Sequence, residues 1–222
     1  MNMKLRMGSC MTVCGPTKSG KTVFIMKLLD RAKELFDVPP VAVYWFYGHR
    51  TKMHDQLAKK NYNMIQGIPK DFSFVKPNSI VMMDDLMVAS ANNKQVTDLF
   101  CVQAHHVPCF IIFTQQNLFP KSQEARDRQL NTQYLVAFNN PRDKRQIGFL
   151  GDQMFPSSRR FLVDSFKHAT KKPYSYLFID LHQETPEIVR IRADIFEKPM
   201  VAYVDKQLYA DITTSKHLKR FR

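Results

Sequence analysis

Four residues near the start of the chain have types and spacing suited to chemistry on phosphate: Gly15, then Gly20, Lys21 and Thr22. The two glycines let successive backbone N–H groups turn toward one anion, and the helix that follows adds its positive end. Lys21 would then contact the β- and γ-phosphates of a nucleotide, and the hydroxyl of Thr22 would coordinate a magnesium ion. We therefore predict that ATP and Mg²⁺ bind to a loop, here called the glycine loop, that consists of Gly15, Pro16, Thr17, Lys18, Ser19, Gly20, Lys21 and Thr22.

A pair of carboxylates follows a run of four apolar residues, in the order Ile80-Val-Met-Met-Asp84-Asp85. A strand buried on both faces carries such a run, and in a parallel sheet its carboxyl end lies beside a phosphate-binding loop. The pattern is typical of a Walker B strand, in which Asp84 holds the magnesium ion through water and Asp85 polarises the attacking water. An acidic turn without a ligand is the alternative, and the intact glycine loop upstream disfavours it.

A third polar cluster ends the apolar run that begins at Cys109, where Gln115, Gln116 and Asn117 follow Thr114. A glutamine at the end of a strand beside the Walker B strand can orient the lytic water and report hydrolysis to the rest of the fold. Amides are common in loops, so the prediction that Gln115 is catalytic depends on the other two motifs.

The segments that must position these residues alternate between strand-like and helix-like patterns. The glycine loop lies between a predicted strand at 11–14 and a predicted amphipathic helix at 21–36. Further strands are predicted at 41–47, 79–83, 109–117 and 131–138, and helices near 53–60, 94–106, 143–152 and 158–168. Two closely spaced strands, 173–180 and 187–193, indicate an antiparallel hairpin at the edge of the sheet.

This order of elements predicts an α/β fold of the P-loop NTPase type, with a mostly parallel sheet flanked by helices and a C-terminal β-hairpin. Of the 222 residues 44% are apolar, which is ample for a core on both faces of a sheet. We expect residues 1–198 to form the ATPase domain and residues 199–222 to form a C-terminal extension, either a peripheral helix or an ordered tail.

Charge and hydropathy limit the partners of the chain. The formal net charge of +13 favours a polyanion such as nucleic acid, although a well-solvated surface accounts for the same charge. The longest apolar stretches are strand-sized, well short of the roughly 20 residues of a membrane span. The first ten residues, MNMKLRMGSC, contain no apolar signal core, so we expect a soluble protein that is not secreted and has no membrane partner.

The four cysteines lie in or beside apolar segments and lack the paired spacing of a metal site: Cys10, Cys14, Cys101 and Cys109. We expect buried, reduced thiols. A metal site is the alternative, because His105 and His106 lie between Cys101 and Cys109.

Taken together, GPTKSGKT, IVMMDD, FIIFTQQN and the run QNLFPKSQEARDRQLNTQYLVAFNNPRDKRQIGFLGDQMFP resemble the viral genome-packaging ATPases of the FtsK–HerA superfamily. The resemblance is greatest to the compact ATPases related to those of poxviruses, which occur in Maverick/Polinton-type elements and their viral relatives. It covers most of residues 8–196. The glycine loop is generic, whereas TQQNLF followed by an arginine-containing stretch and FNNPRD is far more specific.

The resemblance implies a RecA-like core of the additional-strand (ASCE) class, a ring of identical subunits, and ATP hydrolysis that drives double-stranded DNA into a capsid. By motif matching, Asp84 and Asp85 look like the Walker B pair and Gln115 like the strand-end glutamine of the superfamily. Arg126 looks like the arginine that completes the site of a neighbouring subunit, with Arg128, Arg142 and Arg145 as alternatives.

The same resemblance implies where the protein works and with what. Its partners would be double-stranded DNA, further copies of the chain, and a capsid vertex or portal protein. The setting would be the nucleus or cytoplasm of a host cell, at the site of virion assembly, or the virion itself. No nuclease or portal-binding domain of the kind found in larger terminases is evident, so DNA cutting is not expected.

Two functions of other classes remain as alternatives. A small-molecule kinase for nucleotides uses the same glycine loop, but an arginine-rich lid is not evident between the later strands, and the second acid suits the activation of water. A nucleotide-gated binding protein without turnover would share the loop and lack hydrolysis.

Overall fold

The computed structural model describes residues 3–84, 86, 108–119 and 123–214. Along this part of the chain the strands are β1 (Cys10–Cys14), β2 (Val43–Tyr47), β3 (Asn63–Gln66), β4 (Ile80–Asp84), β5 (Phe110–Gln115), β6 (Tyr134–Phe138), β7 (Tyr176–Asp180), β8 (Ile191–Ala193) and β9 (Val201–Tyr203). The helices are α1 (Lys21–Asp30), α2 (Ala32–Leu35), α3 (Lys52–Ala58), α4 (Gln123–Leu130), α5 (Arg145–Met154), α6 (Arg159–Ala169) and α7 (Lys206–Thr214).

The strands form one sheet in the order β3-β2-β4-β5-β1-β6-β7-β8-β9. The pairs from β3 to β6 are parallel, and the pairs from β6 to β9 are antiparallel. The predicted α/β fold, with a mostly parallel sheet and a C-terminal hairpin, is confirmed. Strand β5 lies between β1, which leads into the glycine loop, and β4, which carries Asp84. The sheet therefore has the additional strand that the resemblance implied.

Helices pack on both faces of this sheet, as the predicted layers require. One face is covered by apolar residues of α1, α2 and α3, and the half of the other face over β6, β7 and β8 is covered by α5 and α6. Neighbouring residues of β4 alternate between the two faces: Met82 packs on the first, and Val81 and Met83 on the second. None of the described helices combines the length and the hydropathy needed to cross a membrane.

The helix predicted over 21–36 is divided in two. Helix α1 ends at Asp30, Arg31 leaves the helical conformation, and α2 ends at Leu35. Phe36 is then extended and fully buried, with its ring edge-on to Phe110 at 4.7 Å between centroids. A continuous helix would direct Phe36 elsewhere, so burial of this ring accounts for the break.

Three other segments differ from prediction or were not foreseen. Residues 123–130, expected only as a polar stretch, form α4. The strand predicted at 187–193 is limited to β8, because residues Glu187–Val189 form a 3₁₀ turn. The side chain of Arg190 holds the chain before this turn by donating to the carbonyls of Asp180, His182 and Thr185. Within the predicted extension, β9 pairs with β8 and α7 follows it, while the boundary at 198/199 stays a prediction.

A buried polar network closes the edge of the sheet opposite the glycine loop. Asp180 accepts hydrogen bonds from His182 Nδ1 at 2.8 Å and from the guanidinium of Arg192 at 2.9 Å. The other ring nitrogen of His182 lies 3.1 Å from Ser9 Oγ. The order Ser–His–Asp is that of a hydrolase triad, but Ser9 is only 4% exposed. A substrate could not reach its hydroxyl, so the network stabilises the fold by joining β1 to β7 and β8.

The network should make stability depend on pH through Asp180. Burial acts to raise the pKa of Asp180, but hydrogen bonds from the side chain and backbone of His182 and the charge of Arg192 outweigh it, so the net pKa lies below its usual value. A carboxyl whose pKa is lower in the folded state stabilises the fold above its unfolded pKa of about 3.9, and this contribution is lost as pH falls through the folded pKa.

We expect Asp180→Asn to lower the free energy of unfolding at pH 7 by about 3–5 kcal/mol, because it leaves the buried charge of Arg192 without its counterion. Urea denaturation should show that the difference from wild type shrinks below about pH 4. Asp164→Asn, which removes a carboxylate from an exposed ion pair with Lys167, is the control and should cost under about 1 kcal/mol. Equal effects of the two substitutions would contradict this role of Asp180.

Candidate functional site

The carboxyl ends of the parallel strands meet at one edge of the sheet and enclose a cavity there. Tyr47 on β2 lies opposite Asp84 on β4, and Cys14 on β1 lies opposite Gln115 on β5. The cavity has a volume of about 230 Å³. Its lining includes Lys21, Thr22, Asp84 and Gln115, which come from three separate motifs. The fold therefore brings these four residues of the predicted site to one cavity.

The glycine loop is shaped by two positions that no larger residue could occupy without strain. A Cβ built on Gly15 would lie 2.7 Å from both Phe138 Cβ and Ser19 Oγ, so the loop would have to move. Gly20 has φ +108°, a conformation that disfavours any side chain. The backbone N–H of Gly15 donates to the carbonyl of Gln115 at 3.0 Å, which ties the start of the loop to β5.

The ammonium group of Lys21 lies inside this loop. Its Nζ donates to the carbonyls of Gly15 at 2.7 Å and Pro16 at 2.9 Å, so the charge is held beside the backbone that would surround a phosphate. Beneath it, burial raises the pKa of the Cys14 thiol to about 12, although the charge of Lys21 acts in the opposite direction. The thiol is therefore neutral and adds no negative charge that would repel a phosphate.

Asp84 and Thr22 supply oxygen atoms on the same cavity. The hydroxyl of Thr114 lies 3.4 Å from Asp84 Oδ1 and so helps to hold the carboxylate at the end of β4. A carboxylate and a hydroxyl are hard oxygen donors, and Mg²⁺ is commonly held by one or two such groups with water completing its shell. The described chain contains no group of three or more His, Cys, Asp or Glu residues that could hold a metal, so a site with many protein ligands is not seen there. The residues present fit Mg²⁺.

Gln115 directs a buried amide toward the cavity. It is 7% exposed, and within the described residues its Nε2 has no hydrogen-bond partner. Leaving such a donor without a partner costs about 1–3 kcal/mol, so it is expected where a ligand or water completes the bond. The catalytic role given to Gln115 is compatible with this position and stays a prediction.

Several predicted residues lie outside the described part of the chain. Asp85 is one of them, so its proposed action on water stays a prediction. Cys101, His105, His106 and the helix predicted at 94–106 are also outside it. The other three cysteines, Cys10, Cys14 and Cys109, are buried and outside any disulfide among the described residues, as expected for reduced thiols.

His54 is a residue of this cavity that the sequence analysis did not identify. It lies on α3 with 5% exposure, and its ring stacks on Tyr47 at 4.5 Å between centroids. Its Nε2 lies 3.8 Å from Asp84 Oδ2, beyond hydrogen-bond distance, and finds no other hydrogen-bond partner among the described residues. The only signal in the sequence is the pattern Thr51-x-x-His54, which resembles a capping box at the start of a helix.

The hydrogen bonds of His54 define its protonation state. The backbone N–H of Thr51 donates to His54 Nδ1 at 2.9 Å, and because a backbone N–H can only donate, this nitrogen carries no proton. The ring is therefore neutral with its proton on Nε2. Burial lowers the pKa of His54, while the carboxylate of Asp84 acts to raise it, and the net shift is downward. A neutral N–H thus faces the cavity beside Asp84.

The arginines named as candidates for completing a neighbour's site occupy different surroundings. Arg126 is exposed on α4, where it lines a separate groove with Leu135 and Leu181 rather than the cavity. Arg128 is 5% exposed and its guanidinium lies 5.2 Å from the centroid of the Phe113 ring, so it is not available to another subunit. Arg142 and Arg145 are exposed and follow β6 at the edge that carries the glycine loop.

Comparison with known proteins gave no match to a protein-family model and no match among curated proteins. Among solved structures, a KaiC-like protein from the hyperthermophilic archaeon Pyrococcus horikoshii OT3 is similar over 89% of this chain and 91% of its own. The two chains are 9% identical, with a TM-score of 0.40. So distant a likeness carries no information on the activity of this chain.

Proposed function

We propose that this protein is an ATPase that translocates double-stranded DNA and packages a viral or virus-like genome into a capsid. The observation that carries the ATPase part is the single cavity shared by Lys21, Thr22, Asp84 and Gln115. These residues supply a cation for phosphate, two oxygen donors for Mg²⁺ and a strand-end amide, which are the recurring parts of P-loop hydrolysis.

Each residue of the site would have its own role in ATP hydrolysis. Backbone N–H groups of the glycine loop and Lys21 bind the β- and γ-phosphates and hold the terminal phosphate in place. Thr22 would hold Mg²⁺ by its hydroxyl and Asp84 would hold it through water, and the bound ion would neutralise charge on the phosphates. Gln115 would orient the attacking water and Asp85 would polarise it. Catalysis of this type consists mainly of positioning and electrostatic stabilisation, which suits a rigid edge of a parallel sheet.

The proposed role in DNA packaging is supported by features of the sequence rather than by the cavity. This support comes from the resemblance of TQQNLF, the arginine-containing stretch and FNNPRD to packaging ATPases, and from the net charge of +13. A motor of this kind would act as a ring, with a capsid vertex or portal protein as its anchor, in the nucleus or cytoplasm where virions assemble. The charge provides sequence-independent attraction to phosphates, which a motor that moves along any sequence requires.

The rate of ATP hydrolysis tests both parts of the proposal: the Lys21→Ala variant tests the nucleotide site, and added DNA tests the coupling of hydrolysis to DNA. We expect wild-type protein to hydrolyse ATP faster when linear double-stranded DNA is added, and Lys21→Ala to lose at least about 100-fold in kcat/KM, because a preorganised charge on the phosphates is removed. Phosphate release is the measurement. Lys27→Ala, which removes an exposed lysine on the same helix, is the matched control and should retain wild-type turnover.

The alternatives give different results in the same assay. Transfer of phosphate to a nucleoside monophosphate without DNA stimulation would identify a kinase. Nucleotide binding without turnover, with or without DNA, would identify a nucleotide-gated binding protein. Failure of wild-type protein to bind ATP would contradict all three functions.

Arg126 provides a test of assembly. If it completes the site of a neighbouring subunit, Arg126→Ala chains and Lys21→Ala chains should each be inactive alone and regain activity when mixed. Random mixing of equal amounts in a ring places a Lys21→Ala chain's Arg126 beside an intact glycine loop at about a quarter of the sites, so about a quarter of wild-type hydrolysis is expected.

The control for this experiment is the same substitution at an arginine outside the predicted site. Arg160→Ala removes an exposed arginine on α6 and should leave hydrolysis unchanged. If the mixture remains inactive while both variants assemble and Arg126→Ala still binds ATP, Arg126 does not act in the neighbouring site, and Arg142 and Arg145 become the arginines to test.

A further inference from the structure

A second groove lies beside the glycine loop, on the other side of it from the cavity that contains Asp84. It has a volume of about 380 Å³ and is lined by the glycine loop from Pro16 to Ser19, by Asn139 and Pro141 after β6, and by the segment 170–175 before β7. Because β7 runs antiparallel to β6, its amino end lies at the same edge of the sheet as the carboxyl ends of the parallel strands. The sheet topology therefore brings segment 170–175 to the glycine loop.

The position of Asp84 sets the direction in which a nucleotide can extend. The cavity with Asp84 lies over β5, β4 and β2, on one side of β1, while the groove lies over β6 and β7 on the other. With the terminal phosphate and Mg²⁺ on the Asp84 side, a nucleotide that runs across the glycine loop leaves it on the opposite side. The groove is where it would emerge.

Tyr174 is the unusual residue of this groove. Its backbone has φ +64°, a left-handed conformation that is an outlier for a large aromatic residue, and its side chain is 72% exposed. Conformations of this kind cost about 1–3 kcal/mol and tend to occur at ligand sites. The exposed ring gains little packing in the isolated chain, so the cost of the conformation is not offset there.

The backbone of Tyr174 is held against the start of α1. A Cβ built on Gly20 would lie 3.2 Å from Tyr174 Cβ, so the tyrosine is as close to the loop as contact allows. Lys18, Lys171 and Lys172 are exposed around the groove, and its described lining contains no carboxylate. A flat aromatic ring and several cations beside a phosphate-binding loop suit a base and the phosphate nearest to it.

We propose that this groove binds the base and ribose of a nucleoside triphosphate, with the base stacked on the ring of Tyr174. The proposal rests on the proposed function, since it assigns the remaining part of the same ligand. Lys171 and Lys172 attract the α-phosphate, and the ring supplies contact area that does not depend on which base is present.

Isothermal titration calorimetry with two ligands tests the stacking role of Tyr174. Tyr174→Gly removes the ring at a φ that glycine adopts without strain, so the fold should be retained. We expect Tyr174→Gly to weaken binding of Mg²⁺–ATP by about 5- to 150-fold, the range for loss of one aromatic–base stack, and to leave binding of Mg²⁺–tripolyphosphate within about twofold. Tyr174→Phe keeps the ring and should bind both ligands as wild type does.

Tyr209→Ala, at a similarly exposed tyrosine on α7, is the control and should change neither affinity. The proposal is wrong if Tyr174→Gly leaves ATP binding unchanged or weakens ATP and tripolyphosphate by the same factor. It is also wrong if the variant loses affinity for double-stranded DNA instead, which would make the groove a nucleic-acid contact. If wild type binds neither ATP nor tripolyphosphate, it is the proposed function that fails.

An independent observation concerns His54. Its proton is on Nε2, which lies 3.8 Å from Asp84 Oδ2, and among the described residues this buried nitrogen has no hydrogen-bond partner. The ring is held by Thr51 at Nδ1 and by stacking on Tyr47, so its direction does not depend on Asp84. A shift of the carboxylate by less than 1 Å would close the hydrogen bond.

We infer that His54 is a positioning residue that orients the Asp84 carboxylate for Mg²⁺. Hydrogen bonds to a carboxylate that holds a metal fix its rotamer, and losing such a bond typically weakens metal binding by about 10- to 100-fold. His54 would therefore influence the metal and leave the contact between Lys21 and the phosphates unaltered. This inference also rests on the proposed function.

Measuring ATP binding as a function of Mg²⁺ concentration separates an effect on the metal from an effect on the contact between Lys21 and the phosphates. In His54→Phe, which keeps an aromatic ring and lacks the N–H, the Mg²⁺ concentration at half-maximal stimulation of ATP binding should rise about 10- to 100-fold, while ATP affinity in EDTA stays within about twofold. His54→Gln retains an amide donor and should recover part of the change. The inference fails if the Mg²⁺ midpoint is unchanged, or if affinity in EDTA falls by the same factor.

Discussion

The separation between β1 and β4 is the constraint on which the site depends. With β5 between them, the start of the glycine loop and Asp84 stand two strand spacings apart, about 10 Å. That distance leaves room for phosphate and a hydrated metal between Lys21 and Asp84. It also places Thr114 and Gln115, at the end of the intervening strand, in the middle of the gap. A direct pairing of β1 with β4 would remove both the space and the central amide.

The site combines a neutral thiol below the glycine loop with buried polar atoms that have no hydrogen-bond partner among the described residues. Ser19 Oγ, His54 Nε2 and Gln115 Nε2 are buried without a hydrogen bond among the described residues, each at a cost of about 1–3 kcal/mol. The Cys14 thiol below the loop is protonated, so it adds no negative charge beneath a phosphate. The extensive apolar contacts on both faces of the sheet offset such costs. His54 and Gln115 line the cavity with Asp84, while Ser19 lines the second groove.

The two halves of the sheet contribute differently to this edge. The parallel half brings carboxyl ends of strands, and with them the acid and the amide, to one side of the glycine loop. The antiparallel half brings the amino end of β7 to the other side, and segment 170–175 precedes it. At the opposite edge, the Asp180 network joins β7 and β8 to β1, so the two halves are held in a common register.

The sequence alone was sufficient for features that depend on local pattern. Gly15, Gly20, Lys21 and Thr22 mark the glycine loop by spacing, and apolar runs of strand length locate β1, β4 and β5. Burial on both faces of a strand gives a continuous apolar run, which is why the order of elements led to the correct fold class. The break at Arg31 and helix α4 were missed, because the first depends on where Phe36 packs and the second has no apolar stripe.

Only the tertiary structure could place His54 at the cavity with Asp84 and Tyr174 beside Gly20. His54 belongs only to a helix-capping pattern with Thr51, Tyr174 belongs to no motif, and the two are 120 residues apart in the sequence (174 − 54). His54 faces Asp84 because β2 pairs with β4, and Tyr174 meets Gly20 because β7 reverses direction beside β6. Strand order and strand direction are set by packing between distant segments. The glycine loop could therefore be recognised from the sequence, while the residues placed on either side of it were decided by the order and direction of the strands.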